Sequence, residues 1–264
     1  MPSLEIKNPK DVNKDWKPVA IVKGDDRNKS INKLLCVNKD SDTGKKSIEL
    51  PDDLFFQPIP DTDQNTRNIW YVAGASGCGK SYSAKTIANN YIKMYPDRDI
   101  YVISKLDQDE TLDNILKPVI RLPYSDFLDN PPDINTFYNC MVIFDDFDTI
   151  GPKKLLDAVL SFIDDISIMG RKHKDGQGNI SMVVISHYLT NYKKTRLILN
   201  ECDYMTLFPQ ATSAHALNYV LKNYVGMEKD DVKKLKKLGR WVMIHKFYPQ
   251  FVLSQQKAYL LHQD

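Results

Sequence analysis

The sequence has no apolar run near the roughly 20 residues that a membrane-spanning helix needs, so its hydropathy predicts no membrane segment. Its first stretch, MPSLEIKNPKDVNKDWK, lacks the apolar core of a secretory leader. Cysteine is scarce. Cys36, Cys78, Cys140 and Cys202 form no CxxC pair, which argues against a zinc site and predicts reduced, packed thiols. No sign of charge dominates. With 36 Lys and Arg against 34 Asp and Glu, contact with nucleic acid falls to local basic clusters rather than to the whole surface. There is no internal repeat. What remains is an ordinary globular mixture of 264 residues, enough for one large α/β domain or for a domain with an extension.

Residues 1–66 are rich in Lys, Asp, Asn and Pro, with apolar patches at 18–22, 33–37 and 53–60. This region reads as a partly ordered N-terminal arm with a few strands. Beyond it, strand and helix patterns alternate. Strands are expected at 69–74, 99–104, 140–146, 180–186 and 203–208. Helices are expected from Lys80 to Tyr95, from Pro152 to a cap at Gly170, at 190–200, at 212–224 and at 228–238. Residues 241–261 read as two strands around a Tyr-Pro-Gln turn. Such alternation implies a mostly parallel central sheet flanked by helices, here with a C-terminal β-hairpin.

GASGCGKS, residues 74–81, fits Gly-x-x-x-x-Gly-Lys-Ser and falls between a predicted strand and a predicted helix, the context a phosphate-binding loop requires. Gly74, Gly77 and Gly79 let backbone N–H groups close around phosphates with no Cβ in the way. Lys80 can reach the β and γ oxygens, the Ser81 hydroxyl can hold Mg²⁺, and the helix N-terminus adds partial positive charge. The candidate nucleotide-binding residues are Gly74, Ala75, Ser76, Gly77, Cys78, Gly79, Lys80, Ser81 and Tyr82. Cys78 stands at a variable position of the pattern.

MVIFDD places two acids at the end of an apolar strand. Asp145 is the candidate Mg²⁺ ligand, and Asp146 the candidate catalytic acid that polarises the attacking water. The chain begins to turn there, so both carboxylates can border the phosphate site at the strand ends. Asp148 reads as a helix-start acid. Lys80 and Asp145 stand 65 positions apart, which leaves room for a helix, a strand and a second connection. That spacing predicts an extra strand between the phosphate-loop strand and the acid-bearing strand.

VVISH puts Ser186 and His187 at the end of the next strand, where a polar group can sense a γ-phosphate or position water. Arg171 follows Gly170 at a helix end and is a candidate arginine finger acting on a neighbouring subunit. Arg196 is the competing candidate. A finger accelerates hydrolysis by roughly 10³–10⁵. Basic clusters at 152–154, 171–174, 192–194 and 233–237 suit sequence-independent phosphate contact.

Taken in order, GASGCGKS, MVIFDD, MGRKH, SMVVISHYL and NECDYMTLF resemble the viral genome-packaging ATPases of the FtsK–HerA superfamily, most of all the poxvirus-type packaging ATPase of large DNA viruses and virophages. The resemblance covers residues 68–210 and is weaker to 261. It implies a P-loop NTPase of the additional-strand type that spans residues 67–264 and works as a ring on ATP and Mg²⁺. Such a ring pumps double-stranded DNA into a capsid, with a capsid or portal-vertex protein as partner and the host cytoplasm, viral factory or virion as location. By the resemblance Lys80 and Ser81 bind ATP with Mg²⁺, Asp145 binds Mg²⁺ and Asp146 is the catalytic acid. Ser186 and His187 take the sensor position, where family members often have Gln instead of His, and Arg171 is the trans-acting Arg. Two alternatives stand beside this reading. One is a nucleoside or nucleotide kinase, for which no Arg-rich lid is found. The other is a P-loop assembly ATPase without transport, which the intact Asp145–Asp146 pair disfavours.

Overall fold

The computed structural model describes residues 1–24, 31–41, 43–171 and 178–261. They form two compact units, one of Asp63–Tyr204 and one that joins Met1–Thr62 to Met205–Asp264.

The second of these begins with five strands: β1 (Ser3–Lys7), β2 (Trp16–Gly24), β3 (Lys33–Asn38), β4 (Ser47–Glu49) and β5 (Leu54–Pro58). Four of them form an antiparallel sheet in the order β1-β3-β2-β5. The apolar patches of the N-terminal sequence supply its buried residues, among them Val19, Val22, Leu35, Val37 and Phe56.

The Asp63–Tyr204 unit holds β6 (Ile69–Ala73), α1 (Lys80–Met94), β7 (Ile100–Ser104), β8 (Ile120–Pro123), α2 (Asp126–Asp129), β9 (Cys140–Phe144), α3 (Lys153–Met169), β10 (Ile180–Ser186) and α4 (Tyr192–Glu201). The five strands are parallel, in the order β6-β10-β9-β7-β8. All residues of β6, β9 and β10 are buried, as expected for central parallel strands covered on both faces. The helix α1 packs on β6 and β10. On α3, Phe162 meets Phe144 of β9, Phe127 of α2 and Phe137 in an aromatic cluster.

The extra strand is present, and its identity differs from what the spacing suggests. The strand between β6 and β9 is β10, which follows the two acids in sequence. The strands that lie within the 65-position gap, β7 and β8, stand on the far side of β9. Gap length reports how much chain is inserted, whereas crossover connections decide where each strand is laid.

The apolar stripe of α3 buries Val159, Phe162, Ile163 and Ile166, but Met169 is exposed. Gly170 is the C-cap with an ordinary right-handed backbone, φ −61°. Its lack of a Cβ answers a different need. An added Cβ would stand 2.5 Å from the Ile166 carbonyl oxygen and 3.0 Å from Nη1 of Arg67, whose buried guanidinium donates to the carbonyls of Ile166 and Ser167 at the end of α3.

After β11 (Tyr204–Leu207), the remainder of the other unit supplies α5 (Ala214–Val220), α6 (Lys229–Leu235), β12 (Val242–His245), β13 (Phe251–Ser254) and β14 (Lys257–Leu260). The expected hairpin is β12 and β13, extended by β14 and β4 into an antiparallel run β12-β13-β14-β4. All four cysteines are free and buried, and burial pushes the thiols of Cys36 and Cys140 up to about 12. Among the described residues no helix is long and apolar enough to cross a membrane.

Candidate nucleotide site

The parallel register aligns the strand ends. Ser186 pairs with Ala73, Val184 with Phe144, and Ile103 with Phe144. The residues just past these ends therefore gather at one edge: Gly74, His187, Asp145 and Asp146, with Ser104 ending β7. Ligands of open α/β sheets collect at such an edge.

The phosphate loop leaves β6 with the Gly74 N–H donating to the Ser186 carbonyl at 3.2 Å. Gly77 (φ +73°) and Gly79 (φ +114°) occupy left-handed backbone that side chains rarely adopt. Glycine is required at both. No side chain caps the N-terminus of α1, so its first N–H groups stay available to an anion. Lys80 is only 6% exposed, and its Nζ donates to the Ala75 carbonyl at 3.3 Å. Ala75, Ser76 and Gly77 are exposed, Cys78 is buried, Ser81 is half-buried and Tyr82 is exposed.

Asp145 follows β9, with its N–H on the Ile103 carbonyl at 2.9 Å. Its Oδ2 accepts from Ser104 Oγ at 3.0 Å, and its carbonyl accepts from Tyr124 Oη at 2.9 Å. Burial raises its carboxyl to about 6, and the Asp146 charge adds to the rise. Asp146 takes a left-handed backbone, φ 49°. That turn carries its carboxylate toward β10, where Oδ2 lies 2.8 Å from His187 Nε2. Its other oxygen, Oδ1, is buried with no hydrogen-bond partner.

His187 stands between the two motifs. Its Nδ1 is 3.4 Å from Lys80 Nζ and 3.4 Å from Ser76 Oγ. Ser186 is placed differently. Its hydroxyl is fully buried and donates to Asp148 Oδ2 at 2.7 Å, away from the loop.

Arg171 lies elsewhere. The Gly170 carbonyl accepts from Ile180 N at 3.0 Å, and the Arg171 carbonyl from Asn179 N at 3.4 Å. Arg171 is thus at the start of β10, whereas Ser186 is at its end, roughly 20 Å away at about 3.3 Å per residue. An arginine side chain does not span that distance. Arg196 is exposed midway along α4. Of the basic clusters, residues 172–174 lie outside the described residues. Lys194 donates to the Asp148 carbonyl at 2.9 Å. Lys233 and Lys234 pair with Asp230 and Asp231 of their own helix, while Lys153 and Lys154 are exposed.

Two residues of the site, Ser104 and Tyr124, are absent from the sequence reading, and a third, Asp148, is read there as a helix-start acid. Ser104 had a signal, since YVIS ends in a polar residue just as VVIS does. Tyr124 had none. Among the described residues no group of three or more His, Cys, Asp or Glu gathers to hold a metal ion.

Fold and edge together define an α/β P-loop protein with an additional strand and a candidate nucleotide site at the strand ends. The chain belongs to the family of uncharacterized protein V3 of Sputnik virophage. The two are 35% identical over 252 residues, 94% of this chain and 96% of that protein. No family model matches the sequence. B204, the DNA-packaging ATPase of Sulfolobus turreted icosahedral virus, is a similar solved structure, with TM-score 0.47 and 15% identity over 73% of this chain and 98% of that one. The cytoplasmic domain of the type VII secretion ATPase EccC of Thermomonospora curvata gives TM-score 0.46 and 14% identity over 80% of this chain and 28% of that one.

Proposed function

We propose that the chain is an ATPase that drives double-stranded DNA into a viral capsid. The observation that carries this reading is the placement of His187 at the end of the inserted strand β10. There it bridges the phosphate-loop residue Lys80 and the acid Asp146. This geometry supports phosphate-sensing chemistry, and the motif combination supplies the resemblance to packaging ATPases.

In this reading the loop N–H groups and Lys80 hold the β and γ phosphates of ATP. Ser81 and Asp145 would hold Mg²⁺, an all-oxygen donor set that suits a hard cation completed by phosphate oxygens and water. Asp146 is the base that would accept a proton from the attacking water. His187 reports the γ-phosphate to β10. Arg171, at the opposite sheet edge from its own loop, serves a neighbouring copy, so the active form is a homo-oligomeric ring. A capsid or portal-vertex protein is the docking partner, in the host cytoplasm, the viral factory or the virion.

Hydrolysis measured with and without duplex DNA tests the reading. Stimulation by duplex that fades as salt rises is expected, because phosphate contact releases counterions. Identical rates with and without duplex in an assembled preparation would overturn it.

A further inference from the structure

We propose that Asp148 is a positioning acid of this site. Its Oδ2 holds the Ser186–Tyr188 turn and, through that turn, aims the His187 ring at Asp146 and the phosphate loop. The proposal rests on the reading of the site as an ATPase centre.

Three donors converge on that one oxygen: Ser186 Oγ at 2.7 Å, His187 N at 2.9 Å and Tyr188 N at 3.0 Å. They come from consecutive residues, so the backbone of His187 is fixed on both sides of its Cα. Only the side-chain torsions remain to aim the ring. Its two nitrogens then meet Asp146 Oδ2 at 2.8 Å and the Lys80–Ser76 pair at 3.4 Å.

The acid is itself anchored. It sits in a short 3₁₀ turn, Phe147–Thr149, directly after Asp146. Thr149 closes that turn by donating its N–H and Oγ1 to the Asp146 carbonyl at 3.0 and 2.8 Å. Lys194 holds the Asp148 carbonyl, and Lys105 holds the Thr149 carbonyl. From below, Tyr71 Oη donates to the Tyr188 carbonyl at 2.5 Å. One element thus carries both Asp146 and the clamp on its partner His187, so their separation is set within four residues of chain.

A purely structural strand end does not need this arrangement. Asp148 is 4% exposed, its Oδ1 is buried with no partner, and Asp145 and Asp146 stand close by with charges of the same sign. Burying such a carboxylate costs free energy unless its bonds are strong. Charge-assisted bonds to two N–H groups and a hydroxyl are of that kind. An uncharged acceptor could end the strand with less repulsion. What the carboxylate adds is a rigid hold on three consecutive residues beside the reacting groups.

Asp148→Ala should lower kcat for ATP hydrolysis by roughly 10–100-fold, since a misplacement of about 1 Å near the chemistry has effects of that size. The KM for ATP should move by less than about threefold, because the bonds of Asp148 go to the Ser186–Tyr188 turn and not to the phosphate loop itself. In a double-mutant cycle, adding Asp148→Ala to His187→Ala should cause no further loss, as expected for a residue acting through His187. Thermal melts accompany each variant. If Asp148→Ala does not melt cooperatively, Asp148→Asn, which keeps the shape and one neutral acceptor, takes its place in the cycle with a smaller loss, again confined to kcat. Losses that multiply in the double variant, or a kcat within twofold of the unmodified chain in the single variant, would overturn the proposal while leaving the ATPase reading intact. An unmodified chain that hydrolyses no ATP would overturn both.

Discussion

His187 Nε2 lies 2.8 Å from Asp146 Oδ2, joining the end of β10 to the turn after β9. The same ring lies 3.4 Å from Lys80 Nζ through its other nitrogen. Removing the imidazole should therefore disconnect the acid from the loop. His187→Ala is expected to lower kcat by roughly 10²–10⁴, the usual range for a group acting on proton transfer. His187→Gln should retain more activity, because its amide N–H can still reach Asp146. Steady-state ATPase rates check the order, and an alanine variant as fast as the unmodified chain would contradict it.

Lys80 and Asp146 should separate binding from chemistry. Lys80→Ala removes the cation proposed to meet the phosphates and is expected to abolish both ATP binding and turnover. Asp146→Asn keeps the shape and the contact to His187 but removes the proposed base. It should bind ATP within about threefold of the unmodified affinity while turnover falls by roughly 10²-fold or more. Titration with a fluorescent ATP analogue and a turnover assay on the same samples give both numbers. Equal loss of binding and turnover in Asp146→Asn would remove its role as base.

Much of the site was legible because its signals are local. The expected strand at 180–186 is β10, and the expected helix at Lys80–Tyr95 is α1 to within one residue. The glycines of the loop mark positive φ, and MVIFDD marks a strand end. Non-local facts were not legible. That β10 rather than β7 or β8 separates β6 from β9 depends on pairing between strands more than 100 residues apart. That Ser186 turns its hydroxyl to Asp148, and not to the phosphate loop, depends on an acid 38 positions earlier in the chain. The glycine at 170 was legible as a helix end. The crowding of its Cβ position, by the Ile166 carbonyl and by Arg67 from 103 positions away, was not.

Asp145 gives a pH-dependent stability with a definite sign. Its carboxyl is raised from 3.8 to about 6 by burial and by Asp146. Between those values the folded chain keeps a proton that the unfolded chain has lost. Asp145 therefore destabilises the fold increasingly as pH rises from about 4 to 6, and by a constant amount above. The size is at most about 3 kcal/mol at neutral pH, from about 1.4 kcal/mol per unit. Asp145→Asn should raise the melting temperature at about pH 7.5 and change it little near pH 4. A variant equally destabilised at both pH values would contradict the assignment.

Arg171 predicts complementation between chains. Arg171→Ala and Asp146→Asn should each be inactive alone, since each would remove one half of every site in the proposed ring. Mixed, they should recover activity, because a chain with intact Asp146 can sit beside a chain with intact Arg171. ATPase rates across mixing ratios check this, with a maximum at intermediate ratios expected. A flat, inactive profile at every ratio would move the finger to Arg196 or to a group acting within one chain.

The central claim is that this site turns ATP hydrolysis into movement along duplex DNA. The most direct measurement is displacement of a third strand from a duplex that carries a short triplex. The assembled protein should strip the third strand with ATP, and should fail to do so with a slowly hydrolysed analogue or with Asp146→Asn. A protein that hydrolyses ATP at full rate on the same duplex yet leaves the triplex in place would contradict the account.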